Sequence, residues 1–314
     1  PKKITNMIIY EPNKHFLGDI VHLAKSWTMV KVIRGVIAIG LFSAVLAVCA
    51  DVFKLAQYIP DNLSSIFSFL GVVLSILLVF RTNTAYDRWW EGRKQWGALV
   101  NHCRNLAIVA HATLPKDETY SRHRMAVLIS NFCFAFKEHL RKGTDLSLLI
   151  QTTEEDQKEY KTRVHVPVYI SGQIQKLVVE ASRRGDISEI DQLNYKPHTQ
   201  ALLDVLGACE RIKKTPIPFS YQVFIKIFVF SYSLLLPIAL VPHFGYLAIP
   251  LVMLVFFAFL GLEMMAAEIE DPFGLDCNDL PTGTIAQTIS NNVFEILEAT
   301  HTPTAEPKLY EKVF

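Results

Sequence analysis

The sequence predicts an all-α integral membrane protein with four transmembrane helices and a helical cytoplasmic domain. Three observations predict this class. The 314-residue chain is 51% hydrophobic, with a positive mean hydropathy of +0.25. Its charged residues are nearly absent from four apolar blocks and dense between them. The segments between the blocks repeat apolar residues at helical spacing, so no strand pair is expected.

Composition also excludes several classes of protein. A net charge of +1 argues against a nucleic-acid-binding protein, which normally carries a basic excess on one face. The five cysteines are odd in number and scattered, and none forms a CxxC pair. We therefore expect neither a disulfide framework nor a structural zinc site, and we expect reduced thiols in a reducing compartment.

The amino-terminal segment Pro1 to Thr28 is polar and mixed in charge. It contains no recognisable cleavable signal, and we expect it to lie along the membrane surface or under it. The first span is predicted from about Ile33 to Ala50. Lys31 and Arg34 lie at its start and Asp51 follows it, which predicts a cytoplasmic amino terminus.

The second span, Leu63 to Phe80, contains no charged residue and is long enough to cross a bilayer as a helix. One narrow stripe of this helix is small and polar, and the stripe beside it is bulky and apolar. Small residues let helices approach closely in any membrane bundle. Modest polarity beside apolar rings is also typical of a water-filled pore with a hydrophobic constriction. The spacing does not decide between helix packing and a pore lining. The small stripe comprises Ser64, Ser68, Gly71, Ser75 and Thr82, and the bulky stripe comprises Val72, Ile76, Val79 and Phe80.

The long segment from about Thr82 to Pro218 is predicted to be a soluble helical part. Arg81 and the tryptophans that follow suit an interfacial anchor on the cytoplasmic side. The helix that carries them is expected to end at Thr113, before Leu-Pro. An extended link is predicted at Val164 to Val168, and Pro197 is expected to interrupt the last helix.

Two further spans are predicted at Phe219 to Val241 and Tyr246 to Leu262. The turn between them lacks Lys and Arg, so it faces out and both termini lie in the cytoplasm. Lys226 is expected to snorkel to the headgroups. A closing helix from about Thr284 to Ala299 precedes a loosely held tail, Thr302 to Phe314. The predicted divisions of the chain are residues 1–81, 82–218, 219–270 and 271–314.

Motifs for catalysis are missing from the sequence. It has no GxSxG, HExxH or Walker loop, and its ten histidines are dispersed. We therefore expect no enzyme and no cofactor. Carboxylates after the fourth span could bind calcium, although solvation or pairing with arginines is the more ordinary role. The weak metal candidates are Glu268, Glu270, Asp271, Asp276 and Asp279.

Three stretches resemble the bestrophin family, in particular its bacterial homologues, which are pentameric ion channels. They are FRTNTAYDRWWEGRKQWG at Phe80 to Gly97, GACERIKKTPIPFSY at Gly207 to Tyr221, and EIEDPFGLDCNDLP at Glu268 to Pro281. The four apolar blocks agree in order and spacing, so the resemblance covers nearly the whole chain.

The resemblance implies a homopentameric channel in the bacterial inner membrane, surrounded by lipid, with the second span lining the pore. Val72, Ile76 and Phe80 match the neck constriction of the family, and five copies would form three stacked apolar rings. Ile190 matches the position that narrows the cytoplasmic exit. The acidic run that clasps calcium in animal bestrophins is interrupted here by Leu275, among others, so calcium gating is not favoured.

Selectivity follows from the resemblance only in part. Bacterial relatives with aliphatic necks pass monovalent cations such as Na⁺ or K⁺, whereas animal and plant relatives pass Cl⁻ and other anions. The aliphatic Val72 and Ile76 favour a cation channel. An anion channel of the same architecture and a non-conducting membrane scaffold are the alternatives.

Overall fold

The computed structural model describes residues 7–10, 27–60, 62–141, 143, 145–276, 278–300 and 310–313. The described residues fall into two compact units: those within Pro1–Trp89, Pro216–Asn278 and Glu311–Phe314 form the first, and those within Trp90–Thr215 and Asp279–Tyr310 form the second. The elements in chain order are β1 (Met7–Tyr10), α1 (Trp27–Val52), α2 (Leu63–Thr113), α3 (Thr119–His139), α4 (Glu154–Thr162), α5 (Val166–Arg184), α6 (Glu189–Lys214), α7 (Phe219–Phe244), α8 (Ala248–Ile269), α9 (Thr282–Ile296) and β2 (Tyr310–Val313).

Three helical stretches are long and apolar enough to cross a membrane: Thr28–Val52, Leu63–Thr113 and Phe219–Ile269. The third is broken at Gly245, whose φ of +54° ends α7, and α7 and α8 pack against each other on either side of the break. The four predicted spans therefore correspond to α1, the first part of α2, α7 and α8. α1 extends beyond the predicted limits at both ends and α7 at its end, whereas α8 begins two residues later than predicted and ends seven residues later.

The core of the first unit joins all four of these helices. Leu74 and Leu78 of α2 are fully buried in it, and Phe67 lies about two turns before Leu74. Their burial defines one face of α2. The partners on the other helices are Ile39, Ile225, Val229, Tyr232, Leu236, Ala239, Val252 and Phe256.

The second unit contains α2 from Trp90 onward, α3 to α6 and α9. Trp96 is its largest fully buried side chain, and its ring stacks on Phe136 with centroids 5.1 Å apart. The sequence suggested an interfacial role for the tryptophans after the second span. For Trp96 that prediction was wrong, because the indole packs in the protein core.

Two local predictions in the second unit were also wrong. The expected link at Val164 to Val168 is the start of α5, which begins at Val166 with Pro167 in its first turn. Proline is accepted there because the first turn has no intrahelical partner for its missing N–H. Pro197 lies inside α6, which continues to Lys214 without interruption.

β1 and β2 form a two-stranded sheet between the ends of the chain. The expectation of no strand pair was wrong at this point. Strands of four residues so far apart in sequence leave no local hairpin signal. Most of the predicted surface segment at residues 1–28 and the tail at 302–314 lie outside the described residues.

Candidate functional site

α2 has two unlike faces within the first unit. Leu74 and Leu78 are 0% and 1% exposed, whereas Val72, Ile76 and Phe80 are 58%, 51% and 60% exposed. At 100° per residue, Val72 and Ile76 lie on the side of the helix opposite Leu74 and Leu78. The sequence-predicted neck residues therefore form a stripe that does not pack in the core of their own chain.

The small residues of the predicted polar stripe have two different environments. A Cβ added at Gly71 would lie 2.8 Å from the hydroxyl oxygen of Tyr232, so this glycine serves close packing of α2 on α7. Ser68 and Ser75 are exposed, and their hydroxyls donate to carbonyl oxygens one turn earlier in α2. Close packing thus accounts for Gly71, whereas a pore lining by Ser68 and Ser75 stays a prediction.

The exposed surface of α2 differs from that of α1. Between Ile37 and Val48 the exposed positions of α1 are all apolar, as expected of a helix that faces lipid. On α2 the exposed apolar residues alternate with Ser68 and Ser75. About three turns after Ile76, on the same side of the helix, the exposed carboxylate of Asp87 follows.

A buried ion pair lies where the apolar part of α2 ends. Arg81 is fully buried, and its Nη2 donates to Oε2 of Glu270 at 2.7 Å. The other oxygen of Glu270 accepts from the backbone N–H of Ile217 and from the side-chain amide of Gln222, both at 2.9 Å. Arg88 donates to the carbonyl oxygen of Glu270 at 3.1 Å. The prediction that Arg81 is an interfacial anchor was wrong.

The weak metal candidates do not share one environment. Glu268 accepts hydrogen bonds from the hydroxyl of Thr28 and from the amide of Asn278 at 3.0 Å, and Glu270 is held as described above. Donors of the protein therefore occupy both carboxylates. The three aspartates differ in exposure: Asp271 is exposed, Asp276 is half-buried and Asp279 is buried.

A second ion pair on these helices was not predicted. The ammonium of Lys226 on α7 lies 3.7 Å from a carboxylate oxygen of the buried Glu263 on α8. The side chain of Lys226 is half-exposed. Snorkelling of Lys226 stays a prediction, and the structure gives its ammonium a carboxylate partner on the neighbouring helix.

Ile190 lies in the second unit, in the first turn of α6, and is 75% exposed. Ser188 and Asp191 form a capping box that fixes this helix start. Gly185, with φ of +84°, allows the turn that precedes it. Ile190 and the exposed Leu193 border an open groove of about 880 Å³. The cap thus presents an apolar side chain to solvent.

These features define a class of protein: an α-helical membrane protein in which one spanning helix keeps a mixed apolar and hydroxyl-bearing face uncovered. The family described as "Bacterial/Fungal Bestrophin protein" matches residues 7–295. The chain belongs to the bestrophin family, which confirms the resemblance found in the sequence.

Two relatives show how far the similarity extends. A voltage-dependent anion channel-forming protein of Nostoc sp. is 35% identical over 233 residues, which cover 72% of this chain and 75% of the relative. A protein of the same description from Mesorhizobium japonicum is 31% identical over 294 residues and 92% of each chain. The fold is similar to that of a crystal structure of a bacterial bestrophin homologue from Klebsiella pneumoniae, with a TM-score of 0.79 and 27% identity over 86% of this chain and all of that one. These matches indicate a channel protein, not an enzyme.

Proposed function

We propose that this chain is one subunit of a homopentameric ion channel in the bacterial inner membrane, with α2 lining a central pore and both termini in the cytoplasm. The observation that carries the proposal is the exposed stripe of Val72, Ile76 and Phe80 on the face of α2 opposite its buried core. One copy of α2 cannot enclose a pathway for ions, so the proposed function requires neighbouring copies.

The composition of the α2 face supports a pore lining over a lipid contact. The lipid-like face of α1 has no exposed hydroxyl between Ile37 and Val48, whereas the hydroxyl oxygens on α2 donate to their own helix and still have lone pairs that pore water can bind. Ser68 and Ser75 lie beside the apolar stripe of α2. Rings of aliphatic and aromatic side chains in a narrow pore act as a barrier by dewetting, and flanking hydroxyls keep the rest of the pore wettable.

We further propose that the channel passes monovalent cations such as Na⁺ and K⁺. The neck residues are uncharged, so charge selection must arise beside them. Asp87 is exposed on the same side of α2, and five copies would form a ring of carboxylates, the arrangement that cation channels use. Val72 and Ile76 are also aliphatic, as in the bacterial relatives that the sequence resemblance associates with cations.

An anion channel of the same architecture is the second candidate. The relatives from Nostoc sp. and Mesorhizobium japonicum are both named voltage-dependent anion channel-forming proteins, and this observation favours Cl⁻. The two candidates share the pore helix and differ only in the sign of the permeating ion.

Ile190 is proposed as a second constriction, at the cytoplasmic exit. Its exposed aliphatic side chain at a rigidly capped helix start supports a contact with the permeation pathway. A capping box holds the first turn in place, so the aperture would be set by side-chain size.

Recording from the purified protein in planar bilayers tests the proposal. We expect unitary currents above those of empty membranes, and in asymmetric NaCl a reversal potential near the sodium equilibrium potential. A reversal potential near the chloride equilibrium potential would establish the anion candidate. Absence of conductance in several salts would favour a non-conducting scaffold and reject the channel.

A further inference from the structure

Three side chains from three helices of the second unit converge on one point. His139 is the last residue of α3, His165 is the residue that caps α5, and Glu210 lies near the end of α6. The Nε2 atoms of His139 and His165 lie 2.5 and 2.8 Å from the same oxygen, Oε1 of Glu210. The two imidazole rings are tilted against each other with centroids 4.1 Å apart. All three ligand atoms lie within 4.8 Å of one another.

We propose that His139, His165 and Glu210 form a binding site for a divalent transition-metal ion of the Zn²⁺ class, which joins α3, α5 and α6. The inference does not depend on ion conduction through α2.

The donor set matches the chemistry of such ions. Two imidazole nitrogens and one carboxylate oxygen are ligands that Zn²⁺ binds well, with water in the fourth position. Metal–ligand bonds of about 2.0–2.2 Å place the ligand atoms of a tetrahedral site roughly 3.3 Å apart. The two nitrogen–oxygen distances would have to increase by less than about 1 Å from their hydrogen-bonded values, which small side-chain rotations supply.

The site is open to ions from solution. The three side chains are between 20% and 32% exposed, so they are neither sealed in the core nor fully solvated. Lys214 lies 3.5 Å from the other oxygen, Oε2, of Glu210, but its side chain is 69% exposed. An exposed ammonium at that distance is screened by water and leaves Oε1 available to a metal ion.

Metal binding changes the protons in a defined way. The Nδ1 atom of His165 accepts a long hydrogen bond of 3.4 Å from the backbone N–H of Val168, so in this arrangement the Nε2 atom carries the proton of the neutral ring. A metal ion needs the Nε2 lone pair. The ring therefore releases its Nε2 proton and takes up a proton at Nδ1, so that it stays neutral. Nδ1 then no longer accepts from the backbone N–H of Val168, and that long hydrogen bond is lost.

Cobalt spectroscopy of the full-length protein, purified in detergent without a histidine tag, tests the site directly. We expect Co²⁺ to give the intense visible bands of a four-coordinate ion, at one equivalent per chain, and Zn²⁺ to displace it. His139→Gln and Glu210→Gln should each weaken Zn²⁺ binding at least tenfold in equilibrium dialysis.

His198→Gln is the matched control. His198 also faces another histidine in the second unit, with its Nδ1 atom 3.3 Å from that of His102, so the variant removes a paired imidazole of the same kind. We expect its Zn²⁺ binding to equal that of the wild type. The elution volume in size-exclusion chromatography and the helical content check that each variant is folded. Zn²⁺ should raise the melting temperature of the wild type and of His198→Gln but not of His139→Gln.

Three results would overturn the site. The first is the absence of a four-coordinate Co²⁺ spectrum in the wild type, which would reject the site even if the variants did not fold. Binding by His139→Gln and Glu210→Gln could equal that of the wild type, or His198→Gln could lose binding equally. Any of these would leave the three side chains as a hydrogen-bonded cluster that joins the helices without a metal.

Discussion

Arg81 and Glu270 form a buried ion pair, in which Nη2 of Arg81 donates to Oε2 of Glu270 at 2.7 Å. The pair joins α2 to the end of α8. Through the amide of Gln222 and the backbone of Ile217, Glu270 also holds the start of α7. Three of the four apolar helices of the first unit are therefore tied together at one carboxylate.

Replacement of Glu270 by Gln should strongly destabilise the protein. The variant keeps the shape and one acceptor oxygen but leaves the charge of Arg81 buried without a counter-ion, which costs about 3–5 kcal/mol of unfolding free energy. Thermal unfolding in detergent measures the change.

Glu91→Gln is the control for this variant. It removes the same charge from the partly exposed pair that Glu91 forms with Lys94 on α2, where a loss below about 1 kcal/mol is expected. Equal melting temperatures for the two variants would contradict the importance of the buried pair.

Truncation of the proposed neck should increase conductance. Ile76→Ala and Phe80→Ala each widen an apolar ring and reduce the dewetting barrier, while stability changes little because both side chains are already uncovered in the subunit. Single-channel recording measures the effect.

Two variants separate the pore face from other positions. Val45→Ala, on the exposed apolar face of α1, should leave the conductance unchanged. Leu78→Ala, on the buried face of α2, should instead lower the unfolding free energy by about 2–5 kcal/mol. Unchanged currents in both Ile76→Ala and Phe80→Ala would remove these residues from the gate.

Gly71 and Tyr232 should show energetic coupling. A methyl group at position 71 would meet the tyrosine hydroxyl at 2.8 Å, so Gly71→Ala should cost about 1–3 kcal/mol through overpacking. Tyr232→Phe removes the hydroxyl together with its hydrogen bond to the carbonyl oxygen of Phe67. In the double variant the phenylalanine should recover part of the loss, and strictly additive melting shifts would argue against the contact.

Asp87→Asn tests the basis of selectivity. If a ring of these carboxylates concentrates cations, the neutral variant should shift the reversal potential in asymmetric NaCl toward zero or toward the chloride equilibrium potential. Asp117→Asn makes the same charge change at another exposed position and should have no effect. Identical reversal potentials for wild type and Asp87→Asn would require another origin of selectivity.

Cys209 should be unreactive in the folded protein. Burial, with a smaller effect of Glu91, raises the pKa of this thiol to about 12, so the reactive thiolate is scarce at pH 8. At pH 8 a maleimide should label Cys209 only after the protein is denatured. Peptide mass spectrometry measures the labelling, and rapid modification of the native protein at pH 8 would contradict the buried position.

The long helix α2 and its two faces could be predicted from the sequence because both signals are local. The apolar run, the absence of a breaker and the Leu-Pro that follows Thr113 determine the helix. The periodicity of Val72, Ile76 and Phe80 determines which residues share a side. Which side is covered by protein depends on the other helices and became visible only in the fold.

The errors at Arg81 and Trp96 share a cause, which is the sequence distance to the partner, whereas those at Pro167 and Pro197 come from treating a proline as a helix breaker. Arg81 resembles an interfacial anchor because its partner, Glu270, lies 189 residues away. Trp96 resembles a membrane-belt residue because its stacking partner, Phe136, lies on another helix. The histidines were also judged by their spacing along the chain. Spacing cannot exclude a metal site whose ligands, such as the proposed His139, His165 and Glu210, are far apart in sequence.

The unbroken course of α2 has a consequence for gating. No proline interrupts its 51 residues between Leu63 and Thr113, and the 18 residues of its apolar part alone rise about 27 Å along the helix axis. Sharp bends in helices arise at a few kinds of position, of which proline is the commonest, and the apolar part of α2 from Leu63 to Phe80 contains no proline. In the proposed channel, a change in the distance between Ile76 side chains of neighbouring copies would therefore come from tilt or rotation of the apolar part of α2 as a whole, and not from a bend at a proline.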